Sequence, residues 1–257
     1  MSRHPARRNS TLLLGLGASL FAVTTGALIR AQEPAKDSGR APVREELEEF
    51  RARSSKNAPP DRLRTYERGI EEVRKSGVVE KALKVGDRAP DFELPDANGK
   101  QVKLSELTAR GPVVVTWYRG GWCPYCNIAL RGFQKIMPEI RDAGASLVAI
   151  SPVAPDNSLT TAEKNHLTFA VLSDRGNKAA NAYGVAYKLP KVVADQFKGR
   201  LDLAKYNGDD SGELPLGATY VIDRAGIIRF AFIDADYRKR AEPADVLAAL
   251  RNLDKKP

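Results

Sequence analysis

Cysteine and histidine are scarce in this sequence, and their scarcity argues against several classes of protein. The 257 residues include two cysteines, Cys123 and Cys126, and two histidines, His4 and His166. Two cysteines cannot form the multi-bridge framework of a small secreted domain. A closed structural zinc site needs about four Cys or His ligands, and one of the two histidines lies in a segment with the features of a targeting sequence. Zinc-binding folds and mechanisms that need several histidines are therefore disfavoured.

Clustered positive charge is also missing. Lys and Arg number 41 against 32 Asp and Glu, which gives a formal net charge of +9. Residues 1–31 hold four arginines and no acid, which leaves 37 basic residues against 32 acidic ones, or +5, for the rest of the chain. That excess is spread out, with no basic block interleaved with aromatic residues. Because nucleic-acid-binding domains concentrate their charge in a patch, we expect no nucleic-acid partner.

The first 31 residues have the pattern of an export signal. Residues 1–10 are basic and polar, and residues 11–29 are uncharged and rich in Leu, Ala and Gly. This order is typical of a secretory signal peptide, and cleavage is expected after Ala31. A bilayer span needs about 17–25 apolar residues, so an uncleaved membrane anchor is the alternative. Either interpretation places the body of the protein outside the cytoplasm.

Residues 32–84 are expected to form a helical extension. Residues 43–52 predict a short acidic helix, which Pro59 and Pro60 interrupt. Apolar residues then recur at three- and four-residue spacing, which marks one face of an amphipathic helix: Leu63, Tyr66, Ile70 and Val73. We expect this face to pack on the domain that follows, and a homodimer contact is the alternative.

From Val85 the pattern is that of an α/β domain. The sequence predicts strands at residues 112–118, 146–151 and 169–173, with helices at residues 124–143, 160–166 and 177–183. A hairpin over residues 218–233 and a last helix from Glu242 follow. Residues 184–214 show no strong periodicity and are expected to be an insertion or a long loop. The alternation of strands and helices indicates a mixed central sheet flanked by helices.

The two cysteines form a single C-x-x-C motif, Cys123-Pro124-Tyr125-Cys126, between the first clear strand and a helix. Proline suits the first helical position, so we expect Cys123 at the N-cap and Cys126 in the first turn. Cysteines at helix N-termini have depressed thiol pKa values, and Arg119 adds positive charge. The spacing lets the sulfurs form a disulfide, which predicts a redox site. A permanent structural disulfide and a metal-binding pair with His166 as the third ligand are the alternatives.

The sequence around this motif resembles the alkyl hydroperoxide reductase/thiol-specific antioxidant family. Residues 85–92 (VGDRAPDF), the turn at Gly99-Lys100 and residues 104–107 (LSEL) are similar to the opening of that family. Residues 117–127 (WYRGGWCPYCN) and 219–230 (TYVIDRAGIIRF) resemble its peroxiredoxin-like, C-x-x-C-bearing branch. The resemblance extends over residues 40–255. It implies a thioredoxin-like fold for residues 85–257.

The resemblance also assigns roles and exposes differences. It implies that Cys126 is the peroxidatic cysteine, with Cys123 in the place of a threonine. The family's distant arginine, which polarises the peroxide, is expected just before the strand at residues 218–223, where this chain has Gly217. The cis-proline of thioredoxin relatives is missing there too, unless Pro215 replaces it. Arg119 is the candidate to supply the lost charge.

Two enzymatic functions and one binding function remain open from the sequence. The resemblance implies a thiol-dependent peroxidase that reduces hydrogen peroxide or organic hydroperoxides without a cofactor or metal, with an external thiol reductant such as a thioredoxin-like protein. The alternative is an extracytoplasmic thiol–disulfide oxidoreductase in which Cys123 attacks protein disulfides and Cys126 resolves the product. A copper chaperone is the third, because thiolates select Cu(I), although such proteins space their cysteines differently.

Overall fold

The structure, a computed structural model, describes residues 42–253. The signal peptide or anchor expected in residues 1–31 lies outside the described residues, as do residues 254–257. Among the described helices, none is long and apolar enough to cross a membrane. The predicted boundary between extension and domain at residue 84 follows three helices and precedes the first strand.

The elements follow one another in the order helices, small hairpin, then alternating strands and helices. The helices are α1 (Val43–Lys56), α2 (Pro60–Lys75), α3 (Val78–Lys81), α4 (Leu104–Arg110), α5 (Pro124–Lys135), α6 (Met137–Asp142), α7 (Pro155–Lys164), α8 (Lys178–Ala182), α9 (Lys191–Phe197), α10 (Leu203–Asn207) and α11 (Pro243–Leu253). The strands are β1 (Glu93–Pro95), β2 (Gln101–Lys103), β3 (Val113–Trp117), β4 (Ser146–Ser151), β5 (Ala170–Ser173), β6 (Ala186–Lys188), β7 (Glu213–Pro215), β8 (Thr219–Ile222) and β9 (Ile228–Phe232).

A five-stranded mixed sheet in the order β5-β4-β3-β8-β9 forms the centre of the domain. Strands β3, β4 and β5 are parallel, whereas β8 pairs antiparallel with both β3 and β9. Every residue of β3 is buried, as expected for an apolar strand covered on both faces. The prediction of a mixed central sheet flanked by helices is confirmed.

The alternation of side chains along β3 divides the core into two layers. Val113, Val115 and Trp117 contribute to one apolar cluster, while Val114 contributes to the other, because successive side chains of a strand point to opposite faces. The second cluster includes both cysteines and the apolar sides of α5 and α11. The C-x-x-C motif is therefore part of the core, not of an exposed loop.

The N-terminal helices pack closely against the domain. Helix α1 lies on α5, where a Cβ at Gly132 would come within 2.2 Å of Val43 Cγ2. The carboxylate of Glu242 accepts hydrogen bonds from the backbone N–H groups of Val43 (2.9 Å) and Arg44 (3.1 Å) and so caps α1 across 199 residues of sequence. Helix α2 packs against α9. The extension is thereby positioned to form walls of the site.

Two sequence predictions differ from the structure. Residues 124–143 form two helices, because Pro138 has no N–H to continue the backbone ladder and Ile136 leaves helical geometry with φ −106° and ψ 10°. Residues 184–214 are not a plain loop: they contain the β6–β7 pair together with α9 and α10. These elements have three to seven residues each, which is too few to establish a period in the sequence.

Candidate active site

The thiol motif lies where β3 gives way to α5. Cys123 is the N-cap residue of α5, and Cys126 lies in its first turn behind Pro124, as the motif predicts. Gly120 has φ +144°, in the region that favours glycine, and its carbonyl accepts the N–H of Cys123 at 3.0 Å. The amide of Asn127 donates to the Gly121 carbonyl at 2.8 Å. The loop is thus held against the helix that it precedes.

Both cysteines are free thiols and are almost completely buried, with exposed fractions of 1% for Cys123 and 0% for Cys126. Burial raises the pKa of Cys126, but the hydrogen bond from Cys123, the positive charge of Arg240 and the backbone and charge of Arg119 outweigh it. The pKa of Cys126 consequently lies well below the ordinary value. Burial raises the pKa of Cys123, and the interaction with Cys126 raises it further. The pair favours a Cys126 thiolate beside a Cys123 thiol.

Arg240, an arginine that no sequence motif marks, contacts Cys126. Nη2 of Arg240 lies 3.0 Å from Cys126 Sγ. Nη1 of Arg240 donates to the backbone carbonyls of Tyr237 and Lys239, the latter at 2.6 Å. The side chain is 9% exposed, and no carboxylate among residues 42–253 pairs with it. The positive charge is therefore directed at the sulfur.

Gly217 explains how this arginine reaches the site. A Cβ on Gly217 would lie 2.7 Å from Nη1 and 2.8 Å from Cζ of Arg240. The guanidinium thus occupies the space beside the position where the resemblance placed the family's distant arginine. The expectation that Gly217 leaves the site without a distant arginine is wrong: the charge comes from the segment between β9 and α11. Pro215 belongs to β7 and pairs with Ala186.

Arg119, the predicted source of charge, is buried near the same two sulfurs. Its exposed fraction is 3%, and its guanidinium carbon lies 5.0 Å from the ring centroid of Trp122 and 4.5 Å from that of Tyr237. These distances are typical of cation–π stacking. Its Nε has no hydrogen-bond partner among the described residues. The structure thus brings together Cys123, Cys126 and Arg119, the three residues singled out from the sequence.

A cleft of about 720 Å³ opens next to this cluster. It is lined by residues of the C-x-x-C loop, of α1, of α2 and of the α9–α10 segment. Cys123 and Arg119 line the cleft, whereas Cys126 is not among its lining residues. Its volume falls in the range of small-molecule sites, about 300–1,000 Å³. Two of the lining residues, Trp122 and Phe197, pack edge to face with their ring centroids 5.6 Å apart.

No group of three or more potential metal ligands occurs within residues 42–253. His166, the third ligand in the metal-binding alternative, is an exposed residue just after α7 with φ 51°.

A thiol pair at the N-terminus of the helix that follows the central strand of a mixed sheet defines a thioredoxin-fold protein of thiol redox chemistry. Residues 85–231 match the model of the AhpC/TSA family. This match spans more than half of the chain, and the protein belongs to that family. The resemblance drawn from the sequence is confirmed.

Named relatives place the chain among the peroxiredoxins of this family. It is 31% identical to chloroplastic peroxiredoxin Q of Sedum lineare over 160 residues, which are 62% of this chain and 74% of the relative. It is 36% identical to peroxiredoxin Bcp of Escherichia coli K12 over 103 residues, which are 40% of this chain and 65% of the relative. The crystal structure of peroxidoxin BcpB from Mycobacterium tuberculosis superposes with a TM-score of 0.54 at 26% identity, covering 67% of this chain and 99% of that one.

Proposed function

We propose that this protein is a thiol-dependent peroxidase that reduces hydrogen peroxide or organic hydroperoxides through Cys126 and Cys123. The observation that carries the proposal is the 3.0 Å contact between Arg240 Nη2 and Cys126 Sγ. The reactive form of cysteine is the thiolate, and a charged hydrogen-bond donor stabilises it. Family membership supports the same activity.

In the first step the Cys126 thiolate attacks the terminal oxygen of the hydroperoxide. An S–O bond forms and the O–O bond breaks, so the sulfur is oxidised to sulfenic acid and the peroxide is reduced to an alcohol, or to water when the substrate is hydrogen peroxide. The leaving oxygen takes up a proton. Arg240 and Arg119 stabilise the negative charge that shifts from sulfur to oxygen in the transition state.

In the second step the Cys123 thiol attacks the sulfenic sulfur. An S–S bond forms, and the hydroxyl of the sulfenic acid leaves with a proton as water. An external dithiol of the thioredoxin type then reduces the disulfide by exchange and becomes oxidised itself. Cys126 leaves as a thiolate in this exchange and regains its contact with Arg240.

The alternative, a thiol–disulfide oxidoreductase, requires the outer Cys123 to be the attacking thiolate. Two observations disfavour it. Burial and the neighbouring Cys126 raise the pKa of Cys123, and the arginine hydrogen bond goes to Cys126. Relatives in the family are named as peroxiredoxins, which also favours the peroxidase.

Single-cysteine variants test the assignment. The reduced wild-type protein, Cys126→Ser and Cys123→Ser are mixed with hydrogen peroxide or cumene hydroperoxide in a stopped-flow instrument. We expect Cys126→Ser to lose peroxide consumption, and Cys123→Ser to react once and accumulate a sulfenic acid that dimedone traps. An insulin-reduction assay on the same samples measures the alternative. If Cys126→Ser consumes peroxide at the wild-type rate, the proposed role of Cys126 is wrong.

The N-terminal sequence supports a proposal on location. Four arginines and the uncharged residues 11–29 favour export of the mature domain, with cleavage after Ala31. Cell fractionation and N-terminal sequencing of the purified protein test this. Recovery of the intact chain from the cytoplasm alone would contradict it.

A further inference from the structure

Arg238 binds two carboxylates, one from α2 and one from its own segment. Its Nη1 and Nη2 donate to the two oxygens of Glu67 on α2 at 2.5 Å and 3.0 Å. Its Nε and Nη2 donate to the two oxygens of Asp236, both at 2.8 Å. The Arg238 side chain is 12% exposed and Asp236 is 6% exposed, so the pair that they form is largely shielded from water. Paired hydrogen bonds between a guanidinium and a carboxylate fix the geometry of both groups.

This network holds the segment that carries Arg240. Nη1 of Arg240 donates to the carbonyls of Tyr237 and Lys239, the residues on either side of Arg238. The Lys239 N–H donates to the Asp236 carbonyl at 3.0 Å, and the Arg238 N–H donates to the Asp236 carboxylate at 3.0 Å. These bonds form a turn whose carbonyls orient the guanidinium toward the thiol pair.

Helix α2 anchors the other end of the network. It packs against α9, where a Cβ at Gly69 would come within 2.2 Å of Val193 Cγ2. Tyr66, the neighbour of Glu67, packs edge to face against the ring of Tyr237 with the centroids 6.4 Å apart. Because this close packing fixes α2 on the domain, the carboxylate of Glu67 is a fixed point to which the turn is tied.

From these contacts we infer that Glu67 and Arg238 are positioning residues, which hold Arg240 against the sulfur of Cys126. They act through the turn that carries Arg240. Helix α2 is thereby part of the active site, although it lies outside residues 85–231, which match the family model, as do Arg238 and Arg240. The inference rests on the proposed role of Cys126 as the thiolate that attacks the peroxide.

Positioning and direct electrostatics change the pKa of Cys126 in opposite directions. The positive charges that act on Cys126 are those of Arg240 and Arg119. Loss of the Glu67 anion by itself makes the surroundings more positive and lowers the pKa of Cys126. This direct effect is small, because Glu67 is 54% exposed and water screens its charge. Loss of the anchor lets Arg240 withdraw from the sulfur and raises the pKa, so the positioning role predicts a net rise.

Glu67→Ala tests this role in the Cys123→Ser background of the full chain, where Cys126 is the one cysteine. The pH dependence of iodoacetamide alkylation gives the pKa of Cys126 without any peroxide. We expect Glu67→Ala to raise this pKa by about 0.5 unit, or about threefold in the ionisation equilibrium, since a half-exposed ion pair contributes modestly. The rate constant with hydrogen peroxide, measured by stopped flow, should fall by about three- to tenfold, because the displaced guanidinium also stabilises the transition state less.

Glu71→Ala is the matched control, because Glu71 lies one turn further along α2 and pairs with Arg74 at the surface. It removes the same charge from the same helix and should leave the pKa of Cys126 and the peroxide rate constant unchanged. Glu67→Gln keeps one hydrogen-bond acceptor for the guanidinium and should give a smaller rise in the pKa. In an Arg240→Met background Glu67→Ala should no longer raise the pKa, since no arginine remains to be positioned.

The outcomes separate this inference from the proposed function. If Glu67→Ala leaves the pKa of Cys126 unchanged or lowers it, Glu67 does not position Arg240 and the inference is wrong. A rise of the same size in the Arg240→Met background would also overturn it. A variant that loses only thermal stability keeps the parent pKa at temperatures where it is folded, which counts against a positioning role. If the Cys123→Ser parent does not react with hydrogen peroxide, the proposed function is wrong, and the alkylation measurement still decides whether Glu67 acts through Arg240.

Discussion

Replacement of Arg240 by methionine should raise the pKa of Cys126 and slow the reaction with peroxide. Nη2 of Arg240 lies 3.0 Å from Sγ of Cys126. A hydrogen bond to a charged group contributes about 1.5–3 kcal/mol, which corresponds to about one to two pKa units at about 1.4 kcal/mol per unit. Coulomb's law at this distance with an effective dielectric constant of about 20 gives about 5 kcal/mol. We take this as an upper limit, because the guanidinium charge is delocalised.

The sign of the effect follows from the charge. Arg240 favours the thiolate over the thiol, so its removal shifts the pKa of Cys126 upward toward the ordinary value. At neutral pH a smaller fraction of Cys126 is then ionised, and the ascending limb of the rate–pH profile moves to higher pH. The variant also loses a charged donor in the transition state, which costs about 10²- to 10³-fold in rate at comparable sites. The rate of reaction with peroxide should therefore fall by more than the smaller thiolate fraction alone accounts for.

The assay uses the Cys123→Ser background, in which Cys126 is the one cysteine left and the serine hydroxyl can still donate to it. The pH dependence of iodoacetamide alkylation gives the pKa, and stopped-flow mixing with hydrogen peroxide gives the rate. Arg240→Lys retains the charge without the guanidinium geometry. The pKa of Cys126 in this variant should therefore fall between its values in the parent and in Arg240→Met. An unchanged alkylation midpoint in Arg240→Met would refute the reasoning.

Three further predictions concern close contacts. Gly217→Ala should reduce the rate of reaction with peroxide at least tenfold and have a small effect on thermal stability, because the new methyl group displaces the end of the flexible Arg240 side chain. A wild-type rate in stopped-flow assays would contradict this. Glu242→Ala should lower the melting temperature by about 2–4 °C through loss of about 1 kcal/mol of capping, measured by calorimetry, and an unchanged transition would show that the cap contributes nothing. Gly132→Ala should destabilise the protein by about 1–3 kcal/mol, because its Cβ would overlap Val43. Val43→Ala in the same chain should restore part of this loss, measured by urea unfolding. If the free-energy changes of the two substitutions simply add, the close approach of residue 132 to Val43 is disproved.

The fold and the thiol pair were predictable because their signals are local. Residues 113–117 are apolar on both faces of a strand, and Pro124 marks the start of the next helix. Both features depend on neighbours a few residues apart, whose spacing determines which side chains are buried and where the helix begins. The same local information predicted Cys123 at the N-cap and Cys126 in the first turn.

Arg240 could not be found in the same way. It lies 114 residues from Cys126, in an irregular segment with no periodicity, and the sequence contains many arginines. The sequence offers one indirect indication, which is that Gly217 occupies the position where the resemblance predicts the family's arginine. From the sequence, a glycine there indicates a missing group, whereas in the structure it leaves space for a guanidinium from another segment.

The sequence by itself determined the C-x-x-C pair, the central sheet and the family, because these depend on short-range pattern and on motifs of adjacent residues. Only the tertiary structure decided which charges face the sulfurs and what surrounds them. Helices α1 and α2 and the α9–α10 segment converge on the C-x-x-C loop to form the cleft, and Arg240 converges on Cys126. Such contacts join residues far apart in the chain, and burial and electrostatic energy depend on distance in space and not on separation in sequence.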